Sequence, residues 1–253
     1  MKTPLKSYKK RFKSVSALKN MIPAGSTIES FLFFSGELEF NLLRDERLVR
    51  AHTDRYYISE FWSCVAENAE RLFEIIASEK LVPPNNQVFN ILQENWTSYR
   101  DPFIRAALFF ILNNSSDTGL ISIGNISYKK HNPFALSALR NFKPTEKFSL
   151  KFDSSFEDSL NMKYDADFVL IPVGQYTHNF LSGPRSAGYE MTPVNHSGLF
   201  KKFENTDDKW VMVYNYHPFI LSRFKEHQVT MINNIGKITN NEKTCEEVIV
   251  ANF

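Results

Sequence analysis

The segment DFVLIPVGQY, residues 167–176, reads as a buried strand over 167–171 that breaks at Pro172 into a short loop ending on an aromatic ring. In open α/β sheets, ligands sit outside such carboxyl ends of strands. Gln175 brings an amide that both accepts and donates, and Tyr176 a ring for stacking on a planar group. The loop holds no acid, base or nucleophile. Farther along, His178, His196 and His217 lie within reach of Glu190, Asp207 and Asp208, but without metal-ligand spacing. Asn215 and Tyr216, at a second strand end, either line a pocket or cap the helix that follows. Cys64 and Cys245 form no Cys-x-x-Cys pair, and neither a phosphate-binding loop nor a serine nucleophile elbow is present. The remaining chemistry is cationic. Lys9, Lys10, Arg11 and Lys13 interleave with Tyr8 and Phe12, and Lys129 and Lys130 follow Tyr128. Such clusters suit contact with a phosphate backbone, and solvated lysine is the plain alternative.

The elements that hold these groups follow from hydrophobic periodicity. A chain of 253 residues with 43% hydrophobic residues and 23 phenylalanines has ample material for an aromatic-rich core. The net charge of +2 says little, but no acid occurs before Glu29, so the amino terminus is a basic arm. No apolar run approaches the ~18–20 residues that span a bilayer. With few cysteines and no signal-peptide pattern, a cytoplasmic setting without membrane partners is expected. A helix over 14–21 stops at Pro23-Ala24-Gly25. Strands over 27–35 and 47–53 alternate with a helix after Gly36 and a long one over 54–80, whose apolar residues recur at three and four. That alternation predicts a parallel α/β unit. Helices over 86–99 and 101–114, the second opened by Asp101 and Pro102, and a polar loop or hairpin over 115–135 interrupt it. Strands over 148–154, 167–171 and 210–216, helices over 199–206 and 217–227, and a closing antiparallel hairpin complete the chain. The expected organisation is a basic arm and helix over 1–25, an α/β core over 26–82 and 145–253, and an inserted helical subdomain over 83–144.

Five stretches in this order resemble the Dam-like DNA adenine-N6 methyltransferases over nearly the full length. IESFLFFSGELEF matches the first strand and its F-x-G-x-G cofactor loop, and VRAHTDRYYISEF the second strand, which normally carries an Asp. DPFIRAALFFILNNSSDTGL with the later NPF is similar to the target-recognition segment, and DADFVLIPVGQY to the strand that enters D-P-P-Y. NNEKTCEEVIVANF is similar to the closing hairpin. The resemblance implies a Rossmann-like S-adenosylmethionine-dependent methyltransferase fold with a recognition-like insertion. It also fits a phage source, since short chains of this layout are common there.

The chemistry that the resemblance implies is eroded residue by residue. In the cofactor loop Phe34 and Gly36 match, but Glu37 and Leu38 follow and no second glycine does. The acid that would hold the cofactor ribose is replaced by His52, with Asp54 two residues on. At the D-P-P-Y position stand Val173, Gly174, Gln175 and Tyr176, so the acceptor for the target amine is missing and only the stacking ring is kept. A base-reading arginine is replaced by Ser122. The expectation is therefore a pseudo-enzyme without bound cofactor, retained for DNA binding or as a scaffold subunit of a larger assembly. The rival expectations are a divergent working methyltransferase that uses S-adenosylmethionine, and an unrelated α/β interaction protein.

Overall fold

The computed structural model describes residues 3–6, 12–117, 119, 121, 124–127, 133–143, 145–176, 194–204 and 206–253. Its strands are β1 (Thr27–Ser30), β2 (Leu48–Thr53), β3 (Phe148–Phe152), β4 (Phe168–Gly174), β5 (Trp210–Asn215), β6 (Gln228–Asn233) and β7 (Cys245–Ala251). They form one sheet in the order β3-β2-β1-β4-β5-β7-β6. The pairs from β3 through to β5 are all parallel, and β7 runs antiparallel to both β5 and β6. This is the doubly wound order with one reversed strand slotted in near the far edge.

Strand alternation divides the core between the two faces. Ile28, Val49, Phe168, Leu170, Val211, Val213 and Ile249 face α1 (Val15–Met21) and α2 (Glu37–Leu42). Val169, Ile171, Trp210, Met212, Tyr214, Val248 and Val250 face α7 (Phe156–Asn161), α8 (His196–Glu204) and α9 (Pro218–Arg223). Helix α1 is fixed from outside its own sequence. The buried Glu247 of β7 accepts from the backbone N–H groups of Lys13 and Ser14 at 3.0 and 2.8 Å, the orphan donors of a helix start.

The segment expected as an insertion holds α4 (Asn86–Asn95), α5 (Pro102–Ser115) and α6 (Pro133–Arg140). Asp101 caps α5 as its sequence suggests, accepting from Phe103 N at 2.7 Å and Ile104 N at 3.3 Å. Helix α5 is apolar on nearly every side because it is buried against α3 (Tyr56–Ala77), α4 and the turn at Trp96–Ser98, in one cluster that also takes in Phe33 and Ala51. Helix α3 is broken at Asn68 (φ −159°, ψ 82°), whose Oδ1 accepts from Arg71 N at 2.9 Å and so caps the second half.

The basic arm is partly tied down. Leu5 is buried, the Lys6 ammonium donates to Ser116 O at 2.6 Å, and Lys6 N donates to Asn113 Oδ1 at 2.7 Å. That cation sits at the carboxyl end of α5, where helix carbonyls lack partners. Among the described residues, no helix is long and apolar enough to cross a membrane.

Candidate functional site

The strand order reverses direction between β1 and β4, and a doubly wound sheet opens its ligand crevice at the carboxyl side of that point. Strand β1 stops at Ser30, short of the expected 35, because Leu32 takes a positive φ of 56°. Backbone pairing nevertheless continues: Phe31 N donates to Leu170 O and Phe33 N to His52 O, both at 2.9 Å. The loop then reaches Gly36, which at φ 74° is the left-handed cap of α2. A Cβ built there would collide with the Phe40 ring, so the space a glycine leaves open is filled from within the chain. Phe34 contributes its carbonyl to the Trp62 indole N–H at 3.4 Å. Glu37 begins α2 and is half-buried. Two residues on, the buried Glu39 accepts from Ser30 Oγ at 2.8 Å, and its burial raises its pKa against the pull of its hydrogen bonds.

His52 lies inside the sheet rather than at a strand tip. Its Nδ1 is 2.6 Å from Asp153 Oδ2 and its Nε2 is 2.7 Å from Glu29 Oε1. The three residues are 6%, 5% and 7% exposed, respectively. Register explains the meeting: Glu29 pairs with Arg50 and His52 pairs with Lys151, so Glu29, His52 and Asp153 fall on one face of three adjacent strands. Phe31 closes the group, its ring stacked on the imidazole at 4.8 Å. Burial opposes a charge on His52, but the hydrogen bonds to Glu29 and Asp153, with their negative charges, outweigh it and raise the pKa. The result is an imidazolium clamped between two carboxylates, with both ring nitrogens engaged. Asp54, just past β2, is half-buried and pairs with Arg55 at 3.5 Å.

At the other side of the crevice, Pro172 does not end the strand. β4 runs on to Gly174 through an irregular register between Ile171 and Gly174, the local device that admits a proline inside a sheet. Val173 is therefore a buried strand residue, and Gly174 (φ 75°) pairs with Tyr214. Gln175 is exposed. Tyr176 is half-buried in an aromatic group: Phe219 stacks on it at 4.8 Å, and His196 and His217 meet it at 4.8 and 4.9 Å. His217, rather than Asn215 or Tyr216, caps α9, its Nδ1 accepting from Phe219 N at 3.2 Å. Among the described residues, no three His, Cys, Asp or Glu side chains converge as a metal site.

Burial pushes the His196 imidazole down to about 4 from 6.5. The folded state then refuses a proton that the unfolded chain accepts, so this contribution is present above pH 6.5 and is lost as the pH falls towards 4. The expected loss is on the order of 3 kcal/mol. Urea titrations of the wild type across this range should show the loss, and those of His196→Phe should not.

Phe34, Gly36, Glu37 and Asp54 follow the carboxyl ends of β1 and β2, His52 is buried within β2, Val173 and Gly174 close β4, and Gln175 and Tyr176 follow it. Lys13 uses its backbone N–H on Glu247. Lys9, Lys10, Arg11, Ser122, Lys129 and Lys130 lie outside the described residues, as does His178. Glu29, Glu39 and Asp153 are buried partners that no motif in the sequence marks. Their signal was a carboxylate inside or beside an otherwise apolar strand or helix, which a fold keeps only with a partner.

Fold and crevice together define a doubly wound, Rossmann-like α/β protein. No protein-family profile matches the chain, and no curated protein matches it in sequence.

Proposed function

We propose that this chain has the fold of the Dam-like DNA adenine-N6 methyltransferases, has lost methyl transfer, and works by binding DNA. The reversed β7 and its pairing with β6 supply the closing hairpin that the resemblance calls for. The alternation of parallel strands and helices supplies the rest of the frame.

The observation that carries the loss of activity is the filled cradle at Gly36. S-adenosylmethionine needs backbone approach at that glycine, and the Phe40 ring already occupies the direction a Cβ would take. The other positions agree. His52, at the ribose-binding position, spends both nitrogens on Glu29 and Asp153. Val173 and Gly174 continue a strand where an acid should face the target amine. These residues do not fit the cofactor.

Calorimetry with S-adenosylmethionine tests the reading. No binding heat is expected up to about 1 mM, the upper end of ordinary enzyme affinities; micromolar binding would overturn it. For DNA, a gel shift that weakens with salt is expected. Neutralising Lys9, Lys10, Arg11, Lys129 and Lys130 together should flatten the salt dependence by about one unit of log–log slope for each phosphate left without its cation. Absence of any shift at low salt would replace DNA binding by a scaffold role.

A further inference from the structure

A concavity lies between α3 and the edge strand β3. It is lined by Trp62, Ser63 and Ala66 of the helix, by Phe142 and Thr145, and by Phe148 and Leu150 of the strand, and encloses about 140 Å³. Three of its lining rings are held from behind by Phe40, which meets Trp62, Phe142 and Phe148 at ring-centroid distances of 5.0, 5.4 and 5.1 Å, all edge-on. Trp62 and Phe142 are 5.1 Å apart. The mouth is polar and open, with Ser63 and Ala66 exposed. Thr145 Oγ1 accepts from Lys147 N at 3.3 Å, a bond that does not use its hydroxyl proton.

We propose that this cleft binds a monocyclic arene bearing one hydroxyl or similar hydrogen-bonding substituent. Size sets the upper limit. Apolar cavities of about 150 Å³ take up benzene, whereas drug-sized ligands and cofactors need roughly 300–1,000 Å³. Wall chemistry selects the ring, because Trp62, Phe142 and Phe148 offer faces and edges for a further offset or edge-on partner. Ser63 and Thr145 place two hydroxyls at the mouth, where a ring substituent would emerge. Ala66, a methyl where a longer side chain would fit, keeps the entrance clear.

Phenol is the probe, followed by saturation-transfer NMR on the full chain. Saturable binding is expected with a Kd on the order of 1 mM, the range open to a ligand of about seven heavy atoms. Ala66→Phe should weaken it at least about tenfold by occupying the entrance, one factor of ten being an easily resolved change. Ser63→Phe serves the same purpose should Ala66→Phe melt early. Cyclohexanol, equal in size but without a π-face, should bind about fivefold more weakly. A response linear in phenol up to its solubility limit, or one unchanged in both variants, overturns the site. Equal affinity for cyclohexanol overturns the arene assignment.

Discussion

Replacing His52 by leucine is expected to destabilise the fold by about 3–5 kcal/mol, the cost of removing one member from a buried ionic group. The substitution leaves Glu29 and Asp153, 7% and 5% exposed, without the cation between them. Their outer partners are weak substitutes: Arg50 stands 3.9 Å from Glu29, and Lys151 pairs with Asp153 from a half-exposed position. Removing the carboxylates as well, in Glu29→Gln/His52→Leu/Asp153→Asn, should recover much of the loss, since the penalty is mainly that of unpaired buried charge. Urea unfolding of the single and triple variants measures both. The pH dependence carries a sign. The raised His52 pKa means that its contribution is complete below 6.5, where folded and unfolded chains both hold the proton. Above 6.5 the unfolded chain releases the proton and the folded one keeps it, so stability falls as the pH climbs through the folded value. Wild-type stability should therefore decline on the alkaline side, and His52→Leu should be flat there. A wild-type profile without that decline would show that the imidazole is not held protonated.

Periodicity located the frame because long elements repeat their signal. Residues 54–80 carry apolar side chains at three- and four-residue spacing over many turns, and α3 occupies most of that span. Asp101 followed by Pro102 is a local stereochemical instruction and was legible as such. Short elements lacked this redundancy. Helix α7 has six residues, and its one signal is Ser155, whose hydroxyl accepts from Asp158 N at 3.0 Å. The expected loop over 115–135 takes in only the first residues of helix α6, and no expected element covers the rest, although Ala135 and Leu139 stand one turn apart on its buried side. Strand β1 ends before the expected 35 because Leu32 turns through positive φ, which an unbroken apolar run does not reveal. Strand β4 was read too short because proline inside a strand is unusual, and the irregular register that accommodates it depends on the neighbouring β5.

The crevice was legible in outline and hidden in detail. Gly36 was recognisable as a loop glycine, but Phe40 lies four residues on, and only the helix geometry of α2 folds its ring back over the cap. His52 was singled out as a departure at a cofactor position. Its partners are 23 residues before it and 101 after it, joined by the β1–β2–β3 register that no local pattern reports. Tyr176 was expected to survive as a ring for stacking or packing. Phe219, from α9, now accounts for one of its faces, a pairing that depends on where β5 delivers the next helix. Residues whose partners lie within a turn were readable; residues whose partners arrive by strand order were not.

Arg47→Met should cost about 3–5 kcal/mol through a different route, the stranding of helix carbonyls. Arg47 is 2% exposed and stands where two helices end. It donates to Lys19 O at 2.9 Å and twice to Ile22 O at the end of α1, and to Leu42 O at 3.4 Å at the end of α2. The Lys19 and Ile22 carbonyls stand at the last turn of α1, where intrahelical partners run out and the dipole is negative, while Leu42 leads on into a short 3-10 turn over Leu43–Asp45. Methionine matches the length of the stem but offers no donor, so several buried acceptors lose their partners together. Arg47→Lys should recover only part of the loss, because one ammonium cannot span the carbonyls that a planar fork reaches. A readout separate from global stability is available at Asp45, which Arg47 meets at 2.7 Å and Lys19 at 2.8 Å. Hydrogen bonds from Lys19 and then Arg47 hold its carboxyl below the usual range. In Arg47→Met an NMR titration should find that carboxyl moved upward but still depressed by Lys19. An unmoved Asp45 would place the guanidinium elsewhere and remove the basis for the predicted destabilisation.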